Sequence, residues 1–370
     1  MKRCFALLLC FLLFVCVYNP SKAQFVTIPD ARFVNWLNAN GFQQCLTGNQ
    51  LDTTAAVVLN ARAINIVNIG YVSIHSIEGV KYFTALDTLR CEGQGLDSLP
   101  ILPRHLKYLD VANNSISSIS TLPPTLEFIN LQYNLMHTFF NTLPVSLKWF
   151  SLYGNACQNL PALPDSLTYL DVRFNNTRSL PVLPNSLTIL YCDNNPLYTL
   201  PALPATLTSL SCKSDSLSVL PILPQSLESL DCSNNSSIHT LPALPAKLTG
   251  LSCAFDSLSY LPTLPDSLDY LKCDDNQLTS LPYLPNTISY LYCSANHITT
   301  LPTLPISLNY LYCFGNKLSQ LPVLPDSLMV LWCFANQLLG LPQLPGSNRS
   351  LLLYEPANGV TKFAAKINFT

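Results

Sequence analysis

Charge is what this sequence has least of. Only 11% of its 370 residues are Asp, Glu, Lys or Arg, against roughly 25% in an ordinary soluble domain. Its 19 basic and 21 acidic residues nearly cancel, which leaves no basic surface of the kind that holds a nucleic-acid backbone. Long apolar runs are missing too. Although 49% of the residues are hydrophobic, beyond the N-terminus proline or a polar residue interrupts every run well short of the ~18 residues that a membrane span needs. Histidine is sparse, and His75, His105, His137, His239 and His297 follow no common spacing. Neither G-x-S-x-G, H-E-x-x-H nor a phosphate-binding glycine loop occurs, so the sequence points to no enzyme, no cofactor and no metal.

Proline, by contrast, is abundant at 29 residues. Such a content usually signals disorder, but disordered chains are poor in branched aliphatics, and here leucine recurs at fixed intervals. The first 23 residues stand apart. Lys2 and Arg3 precede an apolar stretch from Cys4 to Tyr18, and Ser21-Lys22-Ala23 offers the small residues of a cleavage site, so residues 1–23 read as a signal peptide. The competing reading is an uncleaved anchor, for which the stretch is short. Loss of Lys2, Arg3 and Lys22 removes three positive charges and takes the formal charge from −2 to −5. The expected location is outside the cytoplasm: extracellular, cell surface or periplasm.

A period of twenty residues organises the rest. Leu187 to Asn195, Leu207 to Asp215 and Leu268 to Asn276 align as L-x-x-L-x-C-x-x-N, each followed by x-L-x-x-L-P-x-L-P-x-S. A fixed period of this size identifies a solenoid. Its first prolines fall at Pro161, Pro181, Pro201 and Pro221, and after one inserted residue near Ser237 at Pro242, Pro262, Pro282, Pro302, Pro322 and Pro342. The pattern resembles the leucine-rich-repeat family, and its Leu-Pro-x-Leu-Pro form is similar to the bacterial repeats of the YopM and IpaH-type effectors, over roughly Leu86 to Leu353. Ile28-Pro-Asp-Ala-Arg-Phe33, Ser76-Ile-Glu-Gly-Val80 and Phe83-Thr-Ala-Leu86 are similar to the cap of secreted internalin-like proteins of Bacteroidetes-type bacteria. IpaH-type effectors carry a ubiquitin-ligase domain after their repeats. Only about 25 residues follow Pro345 here, none of them cysteine, so the resemblance does not extend to that activity.

The residues support the same fold independently. Within each repeat x-x-L-x-C-x-x alternates with a period of two, as in a short strand that sends leucine and cysteine to one face. Twenty residues leave no room for a helix, and proline suits an extended, polyproline-like return on the convex side. The fold class is therefore a β-rich solenoid, a leucine-rich-repeat horseshoe with short parallel strands on its concave face and a small, mostly helical N-terminal cap. Inward pairs from Leu89/Cys91 to Leu351/Leu353 predict fourteen strands, with one more near Val57 to Asn60. The expected divisions are 1–23 signal peptide, 24–85 cap and first irregular repeat, 86–353 solenoid and 354–370 tail. Pro29 to Gly41 is the expected cap helix. The ninth position, Asn114 through Asn336 with Asp at 215 and 256, reads as a ladder that bonds backbone groups in the turns.

Cysteine is used repetitively. Cys91, Cys192, Cys212, Cys232, Cys253, Cys273, Cys293, Cys313 and Cys333 share one inward position that Val111, Leu131, Leu152 and Val172 fill elsewhere. Interchange with valine and leucine marks cysteine as a small buried hydrophobe. A disulfide framework is the competing reading in an exported protein, but side chains stacked in one direction are poorly set for the ~90° dihedral it needs. Zinc lacks both histidine partners and CxxC spacing. Cys157 falls at the leucine position of its turn, and Cys45 has no clear place.

Specificity should lie in the outward strand positions, where the repeats differ. Early repeats show Tyr108, Asp110, Trp149, Tyr153, Tyr169, Asp171 and Arg173, and the middle ones show small residues such as Ser209, Ser229 and Gly250. The late repeats turn aromatic. Tyr270, Tyr290, Tyr292, Tyr310, Tyr312, Phe314, Trp332 and Phe334, with Lys272 and Asp274 at the rim, form the candidate ligand site. One reading is cross-strand stacking that stabilises the sheet. The other is an interface for a protein or peptide, since exposed aromatic patches mark such sites. A glycan and self-association are further partner classes for the same surface.

Overall fold

The computed structural model describes residues 24–66, 73–137, 142–343, 351–354 and 366–367. The expected signal peptide and most of the C-terminal tail lie outside the described residues. The chain opens with a cap. In it β1 (Phe25–Thr27), β2 (Leu46–Thr47) and β3 (Gln50–Asp52) form an antiparallel sheet in the order β1-β3-β2. Helix α1 (Ala31–Leu37) falls within the expected Pro29 to Gly41 segment. Asp30 is its N-cap: Oδ1 accepts from the N–H groups of Arg32 and Phe33, while Oδ2 accepts from His75 (2.7 Å) and Ser76 (3.0 Å). One carboxylate thus ends a helix and binds the cap to the following segment. Gly79 completes that junction. Its φ is 102°, a backbone that strains any other residue, and a Cβ there would displace the Ile28 Cδ1 methyl.

The strand expected near Val57 to Asn60 is instead a helical turn, α2 (Ala56–Asn60). Only Val58 in it is buried, whereas Val57 and Leu59 face solvent. The inward pair of the first solenoid strand is Ile64/Ile66, both fully buried, and the strand itself is β4 (Ala63–Asn65). From there the long sheet runs in strict chain order, β5 (Thr88–Arg90) to β17 (Val330–Trp332), then β18 (Leu351–Tyr354). Every neighbouring pair from β4 to β18 is parallel, with no crossover. A short antiparallel strand, β19 (Lys366–Ile367), closes the sheet.

The register explains the sequence pattern. Leu190 pairs with Leu210, Leu230 with Leu251 and Leu291 with Leu311, so each strand leucine stacks on its neighbour. The cysteine of each repeat lies beside it, buried throughout the column. All eleven cysteines among the described residues are free and buried, Cys157 and Cys45 included. Cys45 also finds its place, with Sγ donating to Phe42 O at 2.9 Å. Burial pushes the column thiols far above their ordinary range, which keeps them as inert thiols rather than nucleophiles.

Two further ladders hold the turns. Asn114 Nδ2 donates to the carbonyls of Cys91, Val111 and Ala112, and its Oδ1 accepts from Gln94 and Leu96 N–H. Asn134, Asn175, Asn276, Asn296 and Asn316 repeat the three-carbonyl contact. The residue before each of these asparagines adopts a left-handed backbone, for example Asn113, Phe174, Asp275 and Ala295. On the opposite side the serine or threonine of L-P-x-S forms a hydroxyl ladder. Ser166 Oγ donates to Val145 O and Leu147 O at 2.6 and 2.8 Å, and Thr287 and Ser307 do the same one turn on from each other.

Candidate binding surface

Outward residues of successive strands fall into three columns. Tyr270, Tyr290 and Tyr310 share the first; Lys272, Tyr292, Tyr312 and Trp332 the second. Asp274, Phe314 and Phe334 stand in the third. All ten are half-buried, so the structure brings the sequence-predicted residues together on one face. Strands spaced near 4.8 Å set ring against ring. Tyr290 stacks on Tyr310 (centroids 4.7 Å, interplanar 5°), Tyr292 on Tyr312 (4.6 Å, 8°) and Phe314 on Phe334 (4.5 Å, 6°). Trp332 meets Tyr312 edge-on at 5.0 Å. Rings stacked along the solenoid axis cover one another's faces, so edges and phenolic hydroxyls point away from the sheet.

Burial raises the phenol of Tyr270 to about 12, helped by nearby Tyr292 and Asp274. It raises Tyr292 and Tyr312 in the same direction. These hydroxyls stay protonated at neutral pH and remain donors. Asp274 is more tightly held than a rim residue needs to be. Its Oδ1 accepts from Ser294 N–H at 2.8 Å, and burial raises its carboxyl against the lowering pull of that bond and of Lys272.

A second aromatic column lies toward the N-terminus. Tyr108 stacks on Phe128 at 4.1 Å, Phe128 on Trp149 at 4.1 Å and Trp149 on Tyr169 at 4.8 Å, with Arg90 over the Tyr108 ring. Phe128 escapes the sequence reading. It lies twenty residues from Tyr108 and 21 from Trp149, and the registers Tyr108↔Phe128 and Phe128↔Trp149 set all three in one column. Between the two aromatic regions lies a stretch of small outward residues, Ser209, Ser211, Ser229, Gly250 and Ser252.

Comparison with known proteins agrees with this architecture. A leucine-rich-repeat family model matches residues 105–128. YopM from Yersinia pestis, described as a leucine-rich effector protein, is 34% identical over 83% of this chain and 87% of its own, with a TM-score of 0.71. The chain belongs to the leucine-rich-repeat family, with repeats of the bacterial YopM type. YopM from Yersinia enterocolitica WA-314 is 31% identical over 76% of this chain and 71% of its own, with a TM-score of 0.63. InlJ of Listeria monocytogenes, itself described as including a cysteine ladder, shares the fold at 20% identity and a TM-score of 0.59, over 90% of this chain and 71% of its own. No curated protein matches the sequence. Among the described residues this leucine-rich-repeat protein has no helix long and apolar enough to cross a membrane, and no group of three His, Cys, Asp or Glu side chains placed to hold a metal.

Proposed function

We propose that this leucine-rich-repeat protein is exported and acts as a binding protein, recognising a protein partner through the aromatic columns from Tyr270 to Phe334. The observation that carries this reading is the side-by-side stacking of Tyr290/Tyr310, Tyr292/Tyr312 and Phe314/Phe334. Their hydrophobic edges and tyrosine hydroxyls make a surface that is apolar yet rich in donors, and tyrosine and tryptophan in such a setting dominate binding energy at protein interfaces. Sugar rings stack on aromatic faces. Here those faces are spent on neighbouring rings, which favours a protein ligand over a glycan at this patch. Export rests on the N-terminal Lys2-Arg3, the apolar stretch to Tyr18 and Ser21-Lys22-Ala23.

Replacing Tyr292, Tyr312 and Trp332 together with alanine tests the assignment. The inward leucines and the ladders are untouched, so circular dichroism should remain that of the parent chain. A protein captured from the culture medium by the parent should be lost from the triple variant by at least a hundredfold in affinity, as two or more hot-spot residues would imply. Equal capture by both chains rejects the patch. Fractionating cells that produce the full-length chain with a C-terminal tag tests export separately, and retention in the cytoplasm rejects it.

A further inference from the structure

The turns that carry Tyr133, Tyr153 and Phe174 bring three aromatic rings together at one edge of the solenoid. The position before each ladder residue is left-handed, and most turns place glycine, asparagine, serine or alanine there. Tyr133, Phe174 and Phe255 instead hold φ of 50°, 53° and 59° with bulky rings, an unfavourable choice that the fold does not require, since Asn113, Asn194 and Asn234 meet the same need; of the three, Tyr133 and Phe174 share a ring neighbour, Tyr153. Gly154, between them, is adapted to it: a Cβ there would stand 2.8 Å from the Tyr133 ring. Strain retained against an easier alternative points toward function. The three rings meet at 5.1 Å with interplanar angles of 67° and 54°, so they are not face to face, and Arg173 lies over the Tyr153 ring at 5.0 Å. Tyr133 is 52% exposed and Phe174 47%.

Two residues beyond Phe174 the same edge of the solenoid forms a cleft of about 440 Å³, lined by Gln158, Asn159, Asn176, Arg178 and Pro196. It is an open groove, and the side chains of Gln158, Asn159, Asn176 and Arg178 that line it are all exposed. The bond from Asn176 N–H to Cys157 O at 3.1 Å fixes the two contributing turns against each other. Among the described residues no hydrogen bond or ion pair engages the side chains of Gln158, Asn159, Asn176 or Arg178. Three of the four are amides, each of which both donates and accepts. A hydroxyl does the same, whereas a phosphate or carboxylate needs donors alone and more than one cation.

We propose that this edge is a saccharide-binding site, with Tyr133 and Phe174 as stacking platforms for the apolar face of a neutral sugar and the Gln158, Asn159, Asn176 and Arg178 cleft as its hydroxyl-binding wall. The site is independent of the concave patch assigned above to a protein partner. The full chain is titrated calorimetrically with neutral hexasaccharides of glucose, xylose, mannose and N-acetylglucosamine. Saturable binding of at least one is expected. Phe174→Asn and the pair Asn176→Ser/Arg178→Ser should each weaken it at least tenfold, while the Tyr292, Tyr312 and Trp332 triple variant binds as the parent does. Each replacement is the residue that other turns carry at the same position, Asn194 for Phe174, Ser216 for Asn176 and Ser218 for Arg178, so folding is preserved and circular dichroism verifies it. The proposal is overturned if none of the four sugars binds, if binding survives Phe174→Asn within twofold, or if the triple variant abolishes it.

Discussion

Aspartate replaces asparagine at two rungs of the ladder, and the exchange reverses the hydrogen-bond logic of the position. Asparagine points an amide at backbone carbonyls; an ionised carboxylate would point charge at them. Asp215 Oδ1 accepts from Asn195 N–H at 2.7 Å and Asp256 Oδ1 from Asn235 N–H at 2.7 Å, but the second oxygen of each is buried without a partner. Burial pushes Asp215 up to about 8 and Asp256 up to about 7, against the lowering pull of those N–H bonds. Both folded values lie above the unfolded one, so their contribution to stability is whole below about pH 4. It declines as pH rises and the unfolded carboxyls ionise, and it is lost once pH passes about 7 and about 8. Asp215→Asn and Asp256→Asn should therefore each raise stability by about 1–2 kcal/mol at pH 8.5, the scale of a buried unsatisfied polar group. Near pH 4 they should have little effect. Thermal melting across pH 4–9 measures the difference; a parallel displacement at every pH would exclude the titration.

At the level of the repeat, the hydroxyl ladder on the proline side has a natural gap. Lys247 stands where Ser226 and Ser267 stand in the turns on either side. Ser267 Oγ bonds Ala246 O at 2.8 Å and Leu248 O at 2.7 Å, so Ser267→Ala should cost about 1 kcal/mol in a denaturant titration. Lys247→Ser should add a similar amount by reaching the carbonyls of Gln225 and Leu227. The repeat was the most legible part of this chain, because a period of twenty residues fixes strand, turn and inward column together. The ten late-repeat residues were legible for the same reason: strict register carries neighbours in sequence alignment into neighbours in space. Where the period slipped, legibility failed. The early aromatic column breaks step over the 21 residues from Phe128 to Trp149, and the strand at Ala63–Asn65 lies a few residues beyond the expected Val57 to Asn60 because the cap has no repeat to count from. The rim at Tyr133 and Phe174 was invisible for a different reason. Their left-handed backbone is a conformational fact, and an aromatic in a column of mixed residues does not announce it.

Over the whole molecule, a solenoid is only as uniform as its contacts between neighbouring turns, since each turn touches little beyond the next. The described structure is uneven in this respect. Ring contacts run from strand to strand from Tyr108 to Tyr169 and again from Tyr270 to Phe334, and each cross-strand aromatic pair adds roughly 0.2–1 kcal/mol. The turns between carry Ser209, Ser229 and Gly250 in the corresponding column, with no aromatic pair among them. Both ladder aspartates and the inserted residue near Ser237 fall in this same stretch. Three independent weaknesses coincide, so local opening should begin there rather than at a random turn. Hydrogen exchange at pH 8 should show the amides of Cys212, Cys232 and Cys253 less protected than those of Cys273, Cys293 and Cys313, although all six make comparable bonds of 2.8–2.9 Å to the next strand. Carrying Asp215→Asn and Asp256→Asn together should narrow that gap without closing it, because the missing aromatic contacts remain. Uniform protection along both groups in the parent chain would show instead that the leucine and cysteine columns alone set the stability of every turn.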